Sequence, residues 1–288
     1  MTISTLTLLG LPNYVDSGTV TATSEAATLP ATNVQNIQAS RKWRSDDTDE
    51  ADTILNMDFG QPRAISGVAI IGHNLDSAGK IRIRLGNDPT FSVVLYDSGD
   101  VDALPTMEAF GVLPWGIFRW GGKPANEDLV GRYVNTPLLL EQLVIARYMR
   151  IELKNETNAA GYLQVGRVVA GPAVTPSLNM QYGAAIGYMD NSRHSTSRGG
   201  QTWSDEQQRY RVLSFKLADL PADEIYTAFF DRLDRAKGTF GDVFVLMNPA
   251  DTTNIIHTSF YGRVSSLQPV RKTYFQGHEK DYEITELL

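Results

Sequence analysis

The residues able to do chemistry in this chain are scattered rather than clustered. The four histidines, His73, His194, His257 and His278, stand far apart. None forms an HxxH or HExxH pair, so a helical zinc site has no support. Ser195 follows His194, but adjacency in sequence does not make a catalytic triad, and no G-x-S-x-G elbow is present. No G-x-G-x-x-G or G-x-x-x-x-G-K-[ST] run offers a cradle for nucleotide phosphates. The chain has no cysteine, which excludes disulfides, thiolate metal sites and cysteine nucleophiles. Asp46, Asp47, Asp49, Glu50 and Asp52 are the densest acidic cluster. Oxygen ligands at such spacing suit Ca²⁺, but the central Gly and closing Glu of an EF-hand are missing. The cluster reads as a solvated acidic loop beside Arg41, Lys42 and Arg44. Nothing in the sequence points at a carboxylate pair for glycoside hydrolysis. The expectation is a protein that is not an enzyme and takes no cofactor and no metal.

What remains is contact chemistry. Trp43 lies in ASRKWRSDD, where it is either a sugar-stacking platform or a core aromatic. The core is favoured, because Trp43 immediately precedes the first strong strand pattern and large aromatics dominate sandwich cores. Arg41 and Arg44 beside it are candidates for ligand contact; their bland role is ion pairing with the acidic cluster, worth little at a surface. Val101 to Asn135 holds Pro105, Pro114, Pro124, Trp115, Trp120 and Gly121-Gly122 with no periodicity. It reads either as a loop packed on its own aromatics or as an insertion for contact with a partner, anchored by Trp115 and Trp120.

The elements that must position these residues are mostly strands. Leu55, Met57 and Phe59 alternate with polar residues, as do Ile81, Ile83 and Leu85, and Met149, Ile151 and Leu153. A period of two places one face on a core and one in water. Val68 to Ile71 is a continuous apolar run, the mark of a strand buried on both faces. Gly60-Gln61-Pro62, Gly86-Asn87-Asp88-Pro89 and Ser98-Gly99-Asp100 read as turns between strands. Gly171 to Pro176 reads as a linker between two separable domains, 1–172 and 173–288. Asp190 to Gln208 is polar and rich in Ser and Gly, a mobile loop or hairpin tip. One helix is expected from Pro221 to Lys237. Pro221 suits a first helical position, Asp223 and Glu224 the positive end, and Gly238 the C-cap. Strands are expected at Val212 to Leu217, Asp242 to Met247, Ile255 to Tyr261 and Tyr282 to Leu287.

With 288 residues, 42% hydrophobic and 20% charged, the chain is globular and long enough for two domains. Its net charge of −7 argues against a general nucleic-acid binder. No run approaches the ~18 apolar residues of a membrane span, and MTISTLTLLGLPNYVDSG is a poor signal peptide. Synthesis in a cytoplasm is the expectation.

Two resemblances add to this reading. Trp43-Arg44-Ser45, the strand ending Asp58-Phe59-Gly60, Ile65 to Ile71, Arg147 to Ile151 and Leu163 to Arg167 resemble discoidin or galactose-binding-like domains. The resemblance covers about residues 30 to 172. It implies a jelly-roll β-sandwich whose loops at one end hold the ligand, here near Trp43 to Asp49, His73 to Ala78 and Asn155 to Ala160. On that basis His73 and Asn74 join Arg41 and Arg44 as candidate contacts. The second half, with Arg211 to Leu217, Glu224 to Arg235, Lys237-Gly238, Leu246 to Pro249, Phe260 to Val264 and Tyr282 to Glu286, resembles bacteriophage tail and baseplate proteins of the distal-tail class. That implies a small α+β module with one helix, building a homo-oligomeric ring between the tail tube and the adsorption apparatus. The implied partners are tube, hub and fibre proteins, and the implied location is the virion tail, assembled in the bacterial cytoplasm. The order departs from that class, which places the ring module first. The alternative is a carbohydrate-binding protein that attaches to host surface glycans. A glycan hydrolase with an appended carbohydrate module is the third reading.

Overall fold

The computed structural model of the protein describes residues 5–107, 112, 122–124, 129, 131–274 and 277–288. The fold is mainly β: a jelly-roll sandwich followed by a smaller α+β part. The first part contains β1 (Thr7–Leu9), β2 (Thr19–Ala22), β3 (Trp43–Arg44), β4 (Ile54–Ile71), β5 (Lys80–Gly86), β6 (Val94–Asp97), β7 (Val101–Asp102), β8 (Asn135–Lys154), β9 (Gln164–Val165) and β10 (Arg167–Gly171). The second contains β11 (Ala185–Met189), β12 (Arg193–Thr196), β13 (Thr202–Asp205), β14 (Tyr210–Leu220), β15 (Asp242–Leu246), β16 (Ser259–Val264), β17 (Arg271–Lys272) and β18 (His278–Glu286). Between β14 and β15 the helix α1 (Ala222–Glu224) continues with π-helical hydrogen bonding through Ile225–Arg235. It ends at Arg235 and passes into a turn in which Gly238 takes a left-handed φ of 58°.

The sandwich is organised by two long antiparallel strands, β4 and β8, which pair along nearly their whole length. β4 does not stop at Gly60-Gln61-Pro62, where the sequence suggests a turn. The register shifts there instead, between Asp58 and Arg63, and Gly60 takes a φ of 75°. Such a bulge bends a strand and carries it on. Asp58 holds the bend: its carboxylate accepts the Gly60 N–H at 2.8 Å and two hydrogen bonds from Arg147 at 2.8 and 2.9 Å. Trp43, Leu55, Met57, Ile81, Ile83, Met149 and Ile151 fill the core between the layers.

The run Val68 to Ile71 is fully buried, and the structure shows what covers each face. Val68 and Ile70 belong to the sandwich core. Ala69 and Ile71 pack instead with Leu9, Val169, Phe244, Leu246 and Tyr261, where the second sheet lies against the first. Of the described strands in residues 1–172, β1 alone leaves for the second sheet. β1 pairs with β15 and forms an edge of the second sheet. The chain thus begins in the second sheet and then enters the sandwich. The crossing is tight: a Cβ on Gly67 would lie 2.4 Å from Leu9 Cδ2, and one on Gly171 2.3 Å from the Pro12 carbonyl oxygen.

A buried ion network bridges the same junction. Arg167, on β10, is completely enclosed. Its guanidinium donates to Asp242 on β15 at 2.7 and 2.9 Å and pairs with Asp16 at 2.6 Å. Asp242 also receives Lys237 at 3.0 Å, and the Tyr261 hydroxyl lies 3.0 Å away. Burial alone would raise the Asp242 carboxyl, but Arg167 and Lys237 hold it below the usual carboxylate range. A charge enclosed this completely is tolerable only when its hydrogen bonds are filled, and here they are.

Two further expectations need correction. Val101–Asp102 is a strand on β5, and Ala103 and Leu104 are buried, so no insertion begins at Val101. Ile255–Thr258 is a helical turn, and β16 starts only at Ser259. Arg211 Nη1 donates to the Ile256 and Ser259 carbonyls, which favours a turn of helix over an extended segment there. Asp190 to Gln208 contains a regular hairpin of β12 and β13.

Candidate functional site

The loop end of the sandwich is built on the short pairing of β3 with β9, Trp43 opposite Val165 and Arg44 opposite Gln164. Alternation then decides the fate of both residues. Trp43 points inward and is completely buried, with its indole N–H donating to the Ser24 carbonyl at 3.1 Å. It is a core residue and not a sugar platform. Arg44 points outward, and its guanidinium carbon lies 3.9 Å from the ring centroid of Tyr162. Its Nη2 donates to Gln164 Oε1 at 3.5 Å. Ion pairing with the acidic loop is not what engages Arg44; the stacking partner is an aromatic that the sequence reading did not single out. An Arg two residues before an aspartate run invites an ionic reading, and Tyr162 lies 118 positions later along the chain.

Asn74 positions this surface. Its Nδ2 donates to the Tyr162 carbonyl at 2.9 Å, and its Oδ1 accepts the Gln164 N–H at 2.9 Å. Asn158 Nδ2 donates to the Asn74 carbonyl at 2.9 Å. Both ends of the Asn74 amide are thus used inside the protein, so it orders the loops rather than reaching for a ligand. Ser45 and Leu163 are joined by two further bonds of 2.9 Å, and Thr48 donates to the Glu156 carbonyl at 3.1 Å. All three loops expected to hold a ligand are therefore brought together and fastened to one another.

His73 is buried, with Nε2 2.8 Å from the Thr136 hydroxyl and Nδ1 accepting the Leu75 N–H at 3.3 Å. Burial pulls its imidazole down to about 3. A ring enclosed in this way offers nothing to a surface ligand, and the expected contact role gives way to a structural one. Arg41 is exposed on the bend before β3. Trp115 and Trp120 lie outside the described residues. In the acidic loop, Asp47 accepts the Asp49 N–H at 2.9 Å and Asp49 the Ala51 N–H at 3.0 Å. These carboxylates cap turns of their own backbone. Among the described residues no group of three or more metal-ligating side chains forms a cation site.

The outward surface therefore includes the Arg44 guanidinium over the Tyr162 ring, the Gln164 amide and the exposed Arg41. It offers planar stacking and hydrogen bonds, held by loops that are already ordered.

A second exposed region lies at the far side of the other sheet. β11 pairs with β14 and forms the sheet edge. All five of its residues are exposed, among them Tyr188 and Met189. The β12–β13 hairpin extends from it with every residue exposed, Trp203 included.

No protein-family model matches the chain, and no curated protein matches it. Solved structures similar to it include a CBM32 module from a family 31 glycoside hydrolase of Clostridium perfringens. That likeness has 11% identity and a TM-score of 0.38, covering 56% of this chain and 99% of that one. A mutant of the lectin binding domain of lectinolysin complexed with Lewis b gives 13% identity and a TM-score of 0.38 over 56% and 96% of the two chains. A chitosan-binding module from a Paenibacillus chitosanase/glucanase gives 13% and 0.35 over 55% and 96%.

Proposed function

We propose that this is a non-catalytic recognition protein whose sandwich binds carbohydrate through its loop end. The observation that carries the reading is the Arg44–Tyr162 stack with Gln164 beside it. Sugars present flat apolar faces and rings of hydroxyls, and a guanidinium plane flanked by an amide suits both. The loops are joined before any ligand arrives, so little ordering entropy is lost on binding. The test is a glycan array probed with the full chain, followed by titration of the best ligand. Arg44→Ala is expected to weaken binding at least tenfold while the thermal midpoint moves by less than about 2 °C. Unchanged affinity in that variant rejects the reading.

The second reading, a ring-forming component of a bacteriophage tail tip, is favoured by the exposed β11 edge and the projecting hairpin. An edge strand offers unpaired N–H and C=O groups to another chain. A closed ring needs one patch of each copy to meet a different patch of the next, and an edge on one side of a sheet suits such a contact. Mass measurement in solution and electron microscopy of the purified protein test it: rings are expected, and a monomer at high concentration counts against self-assembly.

A further inference from the structure

A cleft of about 710 Å³ lies where the sandwich meets the base of the hairpin arm. Its floor is a cross-strand row on the second sheet: Tyr188 of β11 opposite Arg211 of β14, continued by Glu286 of β18. One wall is the segment between β13 and β14, Glu206 to Arg209, and the other is Gly131-Arg132, just before β8. The walls are joined by Gln208 Nε2, which donates to the Gly131 carbonyl at 3.0 Å.

The charges in this cleft are not equally available. Arg211 is committed to Glu286, with Nε donating to Oε2 at 2.9 Å and Nη2 closing the pair, both side chains being 3% exposed. Arg209 pairs with Asp190 at 3.0 Å. Arg132 differs: its Nη1 is enclosed and makes no hydrogen bond. Arg132 is only partly buried and lines the cleft, and a guanidinium at the edge of a cleft is well met by a carboxylate, in plane. The other lining groups are those that hold a sugar ring. Tyr188 is 61% exposed and presents an aromatic surface. Gln207 supplies an amide, and Glu206 accepts hydroxyl protons. Glu206 also disfavours a simple anion, since it adds a negative charge to the cleft lining.

We infer that this cleft is a second binding site, for an acidic sugar residue of the hexuronic type. The carboxylate lies on Arg132, the ring lies against Tyr188, and the hydroxyls are shared by Glu206 and Gln207. A neutral sugar leaves the Arg132 charge without a counter-ion, and a small inorganic anion gains nothing from Tyr188 and is repelled by Glu206.

The experiment is calorimetric titration of the full chain with D-galacturonate and with D-galactose, at fixed ionic strength. Galacturonate is expected to bind at least tenfold more tightly. Arg132→Ala should abolish that difference, and Tyr188→Ala should weaken galacturonate binding while the protein keeps its near-ultraviolet dichroism. If Arg132→Ala does not fold, Arg132→Gln takes its place. Equal affinity for both sugars, absence of galacturonate binding at millimolar concentration, or full affinity in the Arg132 variant overturns the inference. The loop-end reading is tested apart from it: loss of galacturonate binding in Arg44→Ala, with Arg132→Ala unaffected, moves the ligand to the loop end and rejects the cleft alone.

Discussion

The loop end of the sandwich and the hairpin arm of the second sheet are both polar and both outward, yet they are built in opposite ways. At the loop end, side chains turn back into the protein. Asn74, Asn158, Ser45 and Thr48 spend their hydrogen bonds on neighbouring loops, and His73 is withdrawn altogether. What reaches the solvent is a small surface on a fixed frame. Along β11, β12 and β13 all the side chains are exposed, and the arm is held by the β11–β14 ladder and by Gln208 at its base. The first design suits recognition of a small rigid ligand. The second suits contact with something large, which supplies the packing the arm lacks. The enclosed Arg167 ties the sandwich to the second sheet through Asp242.

The largest expected effect is at that junction. Asp242→Ala leaves Arg167 and Lys237 without their shared partner inside the protein, and breaking a buried pair from one side costs about 3–5 kcal/mol. Urea unfolding should show a lower midpoint. The unaltered chain should unfold in one transition, because β1 and the Arg167 network join both sheets; two separate transitions would break the picture of a single body.

Acid should act next, through His73. Its folded pKa near 3 lies below the ordinary value of 6.5, so between those values the unfolded chain binds the extra proton. Stability from this group is complete above about pH 6.5 and is lost as pH falls through 3, by roughly 5 kcal/mol in all. Asp97 and Asp88, held at about 2 mainly by hydrogen bonds from Arg82 and from Ser92 respectively, act only below the ordinary carboxylate value of 3.8. The slope of unfolding free energy between pH 6.5 and 4.5 should therefore flatten in His73→Asn; an unchanged slope would place the titration elsewhere.

Asn74→Ala should cost less, about 1–3 kcal/mol for two lost bonds in a part-buried setting. Its more telling effect is faster hydrogen exchange at residues 155–164 and weaker glycan binding, with Arg44 itself intact. Exchange confined to residues 72–75 would show that Asn74 does not order the neighbouring loop. The smallest effect on stability belongs to the arm. Trp203→Ala should change unfolding by no more than about 0.5 kcal/mol, yet reduce self-association in analytical ultracentrifugation. A large loss of stability there would end the contrast between the two regions.

Much of this was legible in the chain before any coordinates. Alternating apolar residues marked β5, half of β4 and half of β8, because a strand with one wet face has to alternate. The helix announced its own ends through Pro221 and Gly238, where backbone constraints leave few other choices. Trp43 was placed in the core for the right reason. The lack of a nucleotide or zinc motif is likewise a property of local spacing. The continuous run Val68 to Ile71 showed that something covers both faces.

What covers the second face was decided only by tertiary structure. No local pattern assigns β1 to a strand more than 230 residues away, and pairing at that range depends on which faces remain unburied once the sandwich has closed. The same holds for charge. Arg167 and Arg44 look alike in sequence, yet one is sealed against Asp242 and the other lies on Tyr162, because burial and partner are set by elements that arrive from elsewhere in the chain. Asn74 and His73 follow this rule too. Their place in a loop that the resemblance assigns to ligand suggests contact, but their three-dimensional neighbours take up their hydrogen bonds. Side-chain chemistry and strand period are written residue by residue, whereas access to solvent exists only after distant segments have packed.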